Sequence, residues 1–117
     1  MKISEVQEIL GAQIVACAEN VDVEIKSACG CDMMSDVLAF VKDQSILITG
    51  LVNPQVIRTA LMMDMKCVVF VRGKKPDEKI IQMAQEHGII IMTSDLRMYE
   101  ACGLLYSHGL QAGGLKG

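Results

Sequence analysis

Aromatic residues are scarce in this chain of 117 residues, which contains no Trp, two Phe and two Tyr. Proteins that bind single-stranded nucleic acid stack bases on aromatic side chains, and this chain has little with which to do so. A basic excess is missing as well, because 11 Lys and Arg stand against 14 Asp and Glu, for a net charge of −3. Generic DNA or RNA binding needs a basic surface, so we expect no nucleic-acid partner.

Long apolar runs are also missing. None approaches the roughly 20 residues of a membrane span, and the first residues lack the apolar core of a signal peptide. We therefore expect a cytoplasmic protein that does not interact with membranes. Five Cys in a reducing compartment do not indicate a disulfide framework. The length predicts one domain over residues 1–110, followed by a flexible, glycine-containing tail over 111–117.

What the chain does contain is a unit that occurs three times: an apolar, β-rich run, a polar or glycine-containing turn, and an amphipathic helix. The runs with their turns lie at residues 46–50, 67–73 and 89–94. Strands that are apolar on both faces and alternate with helices are typical of parallel sheets covered on both sides. The predicted fold class is therefore α/β, a mostly parallel sheet with helices packed on its faces.

The N-terminal part predicts a short helix and a pair of strands. Ser4 and Gln7 have capping-box spacing for a helix over 5–10, which Gly11 ends. Residues 13–17 predict a short strand, and alternating apolar and charged residues over 21–25 predict a half-buried one. The two strands either pair as an antiparallel hairpin, or the second crosses to the main sheet. A loop over 29–32 and a helix over 33–41 complete this part.

Polar and basic residues follow the three apolar strands. Ligands of such sheets prefer the carboxyl ends of the strands, where helix N-termini offer free N–H groups to anions. The predicted site for a nucleotide or another phosphate-bearing molecule consists of Gly50, Asn53, Arg72, Gly73, Lys74, Lys75, Thr93 and Ser94, with Asp95 beside them. In the competing interpretation Asn53 and Ser94 or Asp95 merely cap helices and the lysines are solvated. Neither GxGxxG nor GxxxxGK[ST] is present.

A second candidate site is Cys29-Gly30-Cys31-Asp32. Cys29 and Cys31 are candidate ligands of a soft metal, with Cys17 as a third ligand if the first two strands pair. A structural zinc site needs four N or S ligands, and thiol-redox pairs are usually spaced CxxC. The competing interpretation is a pair of small residues at a strand end.

Several stretches, in their order and spacing, resemble the DRTGG domain and are similar to the N-terminal domain of HPr kinase/phosphorylase. They cover nearly the whole chain to about Gly109: residues 3–11, 32–39, 46–50, 71–77 and 88–94. The resemblance implies a noncatalytic α/β domain that is regulatory or dimer-forming and that accompanies CBS-domain pyrophosphatases, phosphate acetyltransferases and kinases. After the strand ending at Thr49 the chain has Gly50-Leu51-Val52-Asn53-Pro54 in place of a Gly-Asp-Arg-type turn, so no ligand contact of that Asp and Arg is transferred.

Together these observations predict a regulatory or ligand-sensing module without a cofactor. No nucleophile–base pair or carboxylate pair is evident, so we do not expect an enzyme. We expect a homodimer, with Met62 and Leu104 beside Met33 and Met34 as a candidate seam. The alternatives are a metal-binding or thiol-redox protein that uses Cys29 and Cys31, and an interaction module that docks on a larger enzyme.

Overall fold

A single five-stranded sheet forms the centre of the fold. The computed structural model describes residues 1–40 and 45–112. In chain order the elements are α1 (Ile3–Leu10), β1 (Gln13–Ala16), β2 (Ala28–Gly30), α2 (Met34–Phe40), β3 (Ile46–Thr49), α3 (Pro54–Met62), β4 (Cys67–Phe70), α4 (Glu78–His87), β5 (Ile90–Thr93) and α5 (Met98–Ser107), with a 3₁₀ turn (Ala18–Asn20) after β1.

The strands lie in the order β1-β5-β4-β3-β2. β2, β3, β4 and β5 are parallel to one another, whereas β1 runs antiparallel to β5. Every residue of β3 and β4 is buried, as expected for inner parallel strands covered on both faces. This confirms the predicted α/β class with a mostly parallel sheet.

The helices cover the two faces of the sheet. Because neighbouring strand residues point to opposite faces, Ile46 and Ile48 pack with α1 and α5, whereas Leu47 packs with α2, α3 and α4. The predicted dimer seam is therefore wrong as a single surface. Met62 on α3 and Leu104 on α5 belong to opposite sides of the sheet, and Met34 is buried.

Both alternatives for the N-terminal strands are wrong, because the first predicted strand, β1, pairs with β5 and residues 21–25 form no strand. β1 and β2 lie at opposite edges of the sheet. The alternating segment 21–25 forms only an isolated bridge, between Glu24 and Lys2. Its backbone instead forms hydrogen bonds with the first residues of the chain, since Ile3 N donates to Val23 O at 3.1 Å and Ile25 N donates to Met1 O at 2.8 Å. Alternation here reflects packing against the N-terminus rather than membership of the sheet.

Helix ends agree with the sequence in some places and not in others. α1 begins at Ile3 rather than after Ser4, and Glu5 Oε1 accepts a hydrogen bond from Lys2 N at 3.0 Å. Gly11 ends α1 in a left-handed conformation, with φ 58°. Asp77 caps α4 by accepting from Ile80 N at 3.0 Å. The predicted end of the second helix, at residue 41, lies outside the described residues.

The edge strand β2 lies where a loop was predicted, over 29–32. Its outer edge is partly covered, because Gln111 O accepts from Ala28 N at 3.0 Å. Gln111 of the predicted tail thus pairs with the sheet, and residues 113–117 lie outside the described part of the chain. In the described part, no helix has the length and apolar character needed to cross a bilayer.

Candidate functional site

The carboxyl ends of β3, β4 and β5 meet at one edge of the sheet because these strands are parallel and in register. Because β1 is antiparallel to β5, its first residue lies at this same end of the sheet, where Gln13 pairs with Thr93. The edge therefore gathers the turn after β3, the basic turn after β4 and the polar turn after β5. This is the place where ligands of such sheets bind.

Gly50 lies between a carboxylate and a guanidinium at this edge. Asp32 Oδ1 accepts from Gly50 N at 2.7 Å and from Thr49 Oγ1 at 2.9 Å, which ties the end of β2 to the end of β3. Arg72 covers the other side of the glycine. A Cβ at position 50 would lie 2.9 Å from Cζ and Nε of Arg72 and closer still to Nη2. Only glycine leaves room for the guanidinium there.

Arg72 is held in place by its backbone and not by its charge. Its φ of 61° is left-handed, which is unusual for a residue with a side chain. Arg72 N donates to Leu96 O at 2.7 Å and Gly73 N to Ser94 O at 2.9 Å, so the turn after β4 is tied to the turn after β5. Within residues 1–40 and 45–112 the ion pairs are Met1–Glu24 and Lys66–Asp64. In that part of the chain the guanidinium has neither a salt bridge nor a hydrogen bond.

A polar cleft of about 240 Å³ opens beside this turn. Its lining consists of Gly11, Gln13, Gly73, Lys75, Thr93 and Asp95. Gly73 is close to the acidic wall, because a Cβ at that position would lie 3.3 Å from Asp95 Oδ1. The cleft combines one cation with polar donors and acceptors, which suits a polar ligand.

Asn53 occupies the N-cap position of α3, and Pro54 follows at the first helical position, as predicted. Its side chain nevertheless makes no capping hydrogen bond. Asn53 Oδ1 is buried and, among the described residues, has no hydrogen-bond partner. A buried acceptor without a donor is costly, and a ligand or water can supply the donor.

Two of the predicted site residues differ in their surroundings. Ser94 is buried, and its hydroxyl donates to Leu10 O at 3.3 Å and accepts from Leu96 N at 3.2 Å. That hydroxyl is committed to the backbone and does not cap α5, which begins after Arg97. Lys74 is exposed to solvent on the basic turn after β4.

The cysteines are separated by the sheet. Cys29 and Cys31 pack on the side of α2, whereas the sulfur of Cys102 lies over Gly30 on the side of α5. Cys17 is far from them, because it follows β1 at the opposite edge, and its Sγ donates to Ala84 O at 3.7 Å. The expected third ligand is therefore wrong.

Thiol chemistry is also disfavoured by burial. Desolvation raises the pKa of Cys29 to about 11, with smaller contributions from Cys31 and Cys102. Burial likewise raises the pKa of Cys102. Reactive and metal-binding cysteines need accessible thiolates, which a raised pKa opposes. Over the described ranges no three His, Cys, Asp or Glu side chains are grouped so as to hold a metal.

Sequence reasoning missed Asp32, Gly11 and Gln13 as residues of this edge. Asp32 lies two residues after the end of β2, and recognising residues 28–30 as a strand would have placed it at a carboxyl end. Gly11 and Gln13 reach the edge only because β1 is antiparallel, which no local signal in the chain shows.

The fold and this edge define a doubly covered, mostly parallel α/β domain. A family model, the DRTGG domain, matches residues 5–107. The chain therefore belongs to the DRTGG domain family.

One similar solved structure is the crystal structure of the CBS and DRTGG domains of the regulatory region of Clostridium perfringens pyrophosphatase, complexed with its activator, diadenosine tetraphosphate. The match covers 97% of this chain and 51% of that one, with a TM-score of 0.72 and 15% sequence identity. It supports the fold, and this chain spans about half the length of that neighbour. Comparison with curated proteins gave no match.

Proposed function

We propose that this DRTGG domain is a noncatalytic regulatory module that binds a nucleotide or another phosphate-bearing small molecule at the carboxyl edge of its sheet. The single observation that carries the proposal is the guanidinium of Arg72. It lies on Gly50 at the ligand-binding edge and has no anionic partner in the described part of the protein. A guanidinium is well suited to phosphate, which it binds with two parallel hydrogen bonds.

The surroundings of Arg72 strengthen the attraction for an anion. Lys74 and Lys75 follow on the same turn, and α3 begins a few residues after Gly50. A helix N-terminus carries a partial positive charge, so it adds to the field of the three cations. In the similar structure, a regulatory region that contains a DRTGG domain is complexed with a phosphate-rich activator, diadenosine tetraphosphate. This gives the ligand class independent support.

Thermal unfolding against ATP, diadenosine tetraphosphate and inorganic tripolyphosphate tests the proposal. A ligand at 100 times its Kd stabilises a protein by about 2.7 kcal/mol, which raises Tm by several degrees in a domain of this size. Arg72→Gln should remove the shift. Lys66→Gln removes one positive charge just before β4, at the amino ends of the parallel strands and therefore away from the proposed site, and should leave the shift intact. No shift with any of the three ligands, or an unchanged shift in Arg72→Gln, would refute the proposed site.

We also propose that the domain forms a homodimer through the exposed face of α5. Tyr99 is 90% exposed and Tyr106 64% exposed, and they flank Gly103. A Cβ at Gly103 would have no neighbour within 4 Å, so this helical glycine is not explained by close packing inside the chain. Two tyrosines beside a notch make a surface that fits a second copy of itself, as a two-fold interface requires.

Sedimentation of the Tyr99→Glu, Tyr106→Glu double variant tests the dimer. It should sediment as a monomer, because two carboxylates would face their own copies across the interface. Met62→Glu, on α3 at the other side of the sheet, should leave the dimer intact. A wild-type protein that is monomeric at tens of micromolar contradicts the dimer. An α5 variant that stays dimeric contradicts this face.

A further inference from the structure

Asp32 is the second charged side chain at Gly50, and only one of its two carboxylate oxygens accepts hydrogen bonds from described residues. Oδ1 accepts the hydrogen bonds from Gly50 N and Thr49 Oγ1. Thr49 Oγ1 accepts in turn from Leu51 N at 3.1 Å, which completes a small network around the turn. Among residues 1–40 and 45–112 the other oxygen, Oδ2, has no hydrogen-bond partner. Because Asp32 is exposed, this oxygen is accessible to a ligand at the proposed site.

Asp32 and Arg72 approach the same glycine without neutralising each other. The carboxylate holds the N–H of Gly50, the guanidinium covers its Cα, and the described part of the chain contains no ion pair between them. The carboxyl ends of the strands therefore present a carboxylate oxygen without a donor and a guanidinium without an anion, both next to Gly50. A ligand that satisfies both must carry an anionic group together with hydrogen-bond donors.

We infer that the ligand is a phosphate ester with hydroxyl donors, a nucleotide rather than a bare phosphate or polyphosphate, and that Asp32 selects it. This inference rests on the proposed phosphate site at Arg72. A carboxylate repels a second anionic group but accepts strongly from a hydroxyl, as acidic residues in other α/β nucleotide sites do from ribose. The buried Oδ1 of Asn53, three residues after Gly50, is a second acceptor for which the described residues supply no donor.

A matched set of probes separates the roles of phosphate and hydroxyl. ATP, 2′,3′-dideoxy-ATP and inorganic tripolyphosphate each carry a chain of three phosphates, but only ATP carries ribose hydroxyls. We expect ATP to bind at least about tenfold more tightly than the dideoxy analogue, because a hydrogen bond to a charged acceptor is lost. Isothermal titration with the full chain measures all three affinities.

Asp32→Asn is the informative variant because it keeps an acceptor for Gly50 N and turns the second position into a donor. In this variant the preference for ATP over 2′,3′-dideoxy-ATP should fall toward one, and tripolyphosphate should bind severalfold more tightly. Asp36→Asn removes the same charge from the exposed start of α2 and should change neither ratio. The Tm of each variant without ligand reports whether the turn is still folded.

The outcomes distinguish this inference from the site on which it rests. If all three probes bind equally well and all depend on Arg72, the phosphate site stands and the role of Asp32 is refuted. An unchanged ATP preference in a folded Asp32→Asn variant refutes it as well. If no probe binds to the wild-type protein, both the site and the inference fall.

Discussion

The guanidinium of Arg72 lies directly on Gly50, in a space that a single methyl group would fill. The two residues follow different strands, β3 and β4, and their contact joins the two turns at the carboxyl ends of these strands. Because nothing in the described chain pairs with the charge, its position depends on the shape of Gly50 and on the left-handed backbone of Arg72. Each of these features can be changed separately.

Gly50→Ala should displace Arg72 without changing any charge. The added Cβ would overlap the end of a flexible side chain, which can swing away, and the φ of Gly50 is not left-handed, so the fold should persist. We expect ATP to bind about tenfold or more weakly, because a contact between charged groups is lost. Titration calorimetry measures the change. Gly103→Ala adds the same methyl group on the exposed face of α5 and is the control, and unaltered affinity in Gly50→Ala would contradict the role of this contact.

Arg72→Gly should make the protein more stable while it weakens anion binding. The left-handed φ of 61° costs a residue with a Cβ about 1–2 kcal/mol, which glycine avoids, although glycine gains entropy in the unfolded chain. The net gain in the free energy of unfolding should be about 0.5–1 kcal/mol, measured by urea denaturation. Arg58→Gly, inside α3, is the matched control. Glycine in a helix interior costs up to about 1 kcal/mol, so this replacement should lower stability. A loss of stability in Arg72→Gly would show that the guanidinium itself stabilises the fold.

The strands β3, β4 and β5 could be predicted because their apolar runs are long enough to require burial on both faces. The edge strands could not. β2 spans only Ala28–Gly30, and its pairing with β3 is set by tertiary contacts that no local pattern encodes. The alternation over 21–25 has the period of a strand, yet its backbone hydrogen bonds go to the beginning of the chain. Local periodicity reports which side chains are covered, and it does not identify what covers them.

The candidate site shows the same limit. Arg72 and Gly50 were placed at one edge by the rule for carboxyl ends of parallel strands, and the structure brings them into contact. Asp32 was not placed there, because its hydrogen bond to Gly50 spans 18 positions and depends on the β2–β3 pairing. Ser94 follows β5 as expected, but burial turns its hydroxyl to the backbone.

Cys29 should react slowly with iodoacetamide at neutral pH. Burial raises its pKa to about 11 from an ordinary 9.0, so on the order of one thiol in a thousand is ionised at pH 8, and the thiolate is the reactive form. Alkylation followed by mass spectrometry should show a rate that rises up to about pH 11 in the folded protein and only to about pH 9 in urea. Because the pKa is higher in the folded state, this thiol favours folding below pH 9 and loses that contribution as the pH rises through 11. Equal rates at pH 8 with and without urea would mean an accessible thiolate and would revive the metal or redox alternative.

Gly30→Ala should destabilise the edge of the sheet. A Cβ at this position would lie 2.6 Å from the sulfur of Cys102 and 3.4 Å from that of Met98, which brings it into the layer where α5 packs on β2. Cys102 has a short side chain that is half-buried, so it must rotate or α5 must shift. Such overpacking costs about 1–3 kcal/mol, and urea denaturation would show it as a lower free energy of unfolding.

Cys102→Ala in the Gly30→Ala background removes the sulfur and should restore most of the lost stability, so that the two substitutions are coupled. If the effects of Gly30→Ala and Cys102→Ala simply add, α5 yields at this contact, and the sulfur does not determine the spacing between helix and strand.

Gly103→Ala, one residue further along α5, is the opposite case. A Cβ there meets nothing within 4 Å, and alanine is up to about 1 kcal/mol better than glycine inside a helix, so the monomer should gain stability. If Gly103→Ala also weakens self-association, the notch between Tyr99 and Tyr106 receives a side chain of the second copy, and the cost of a helical glycine is explained.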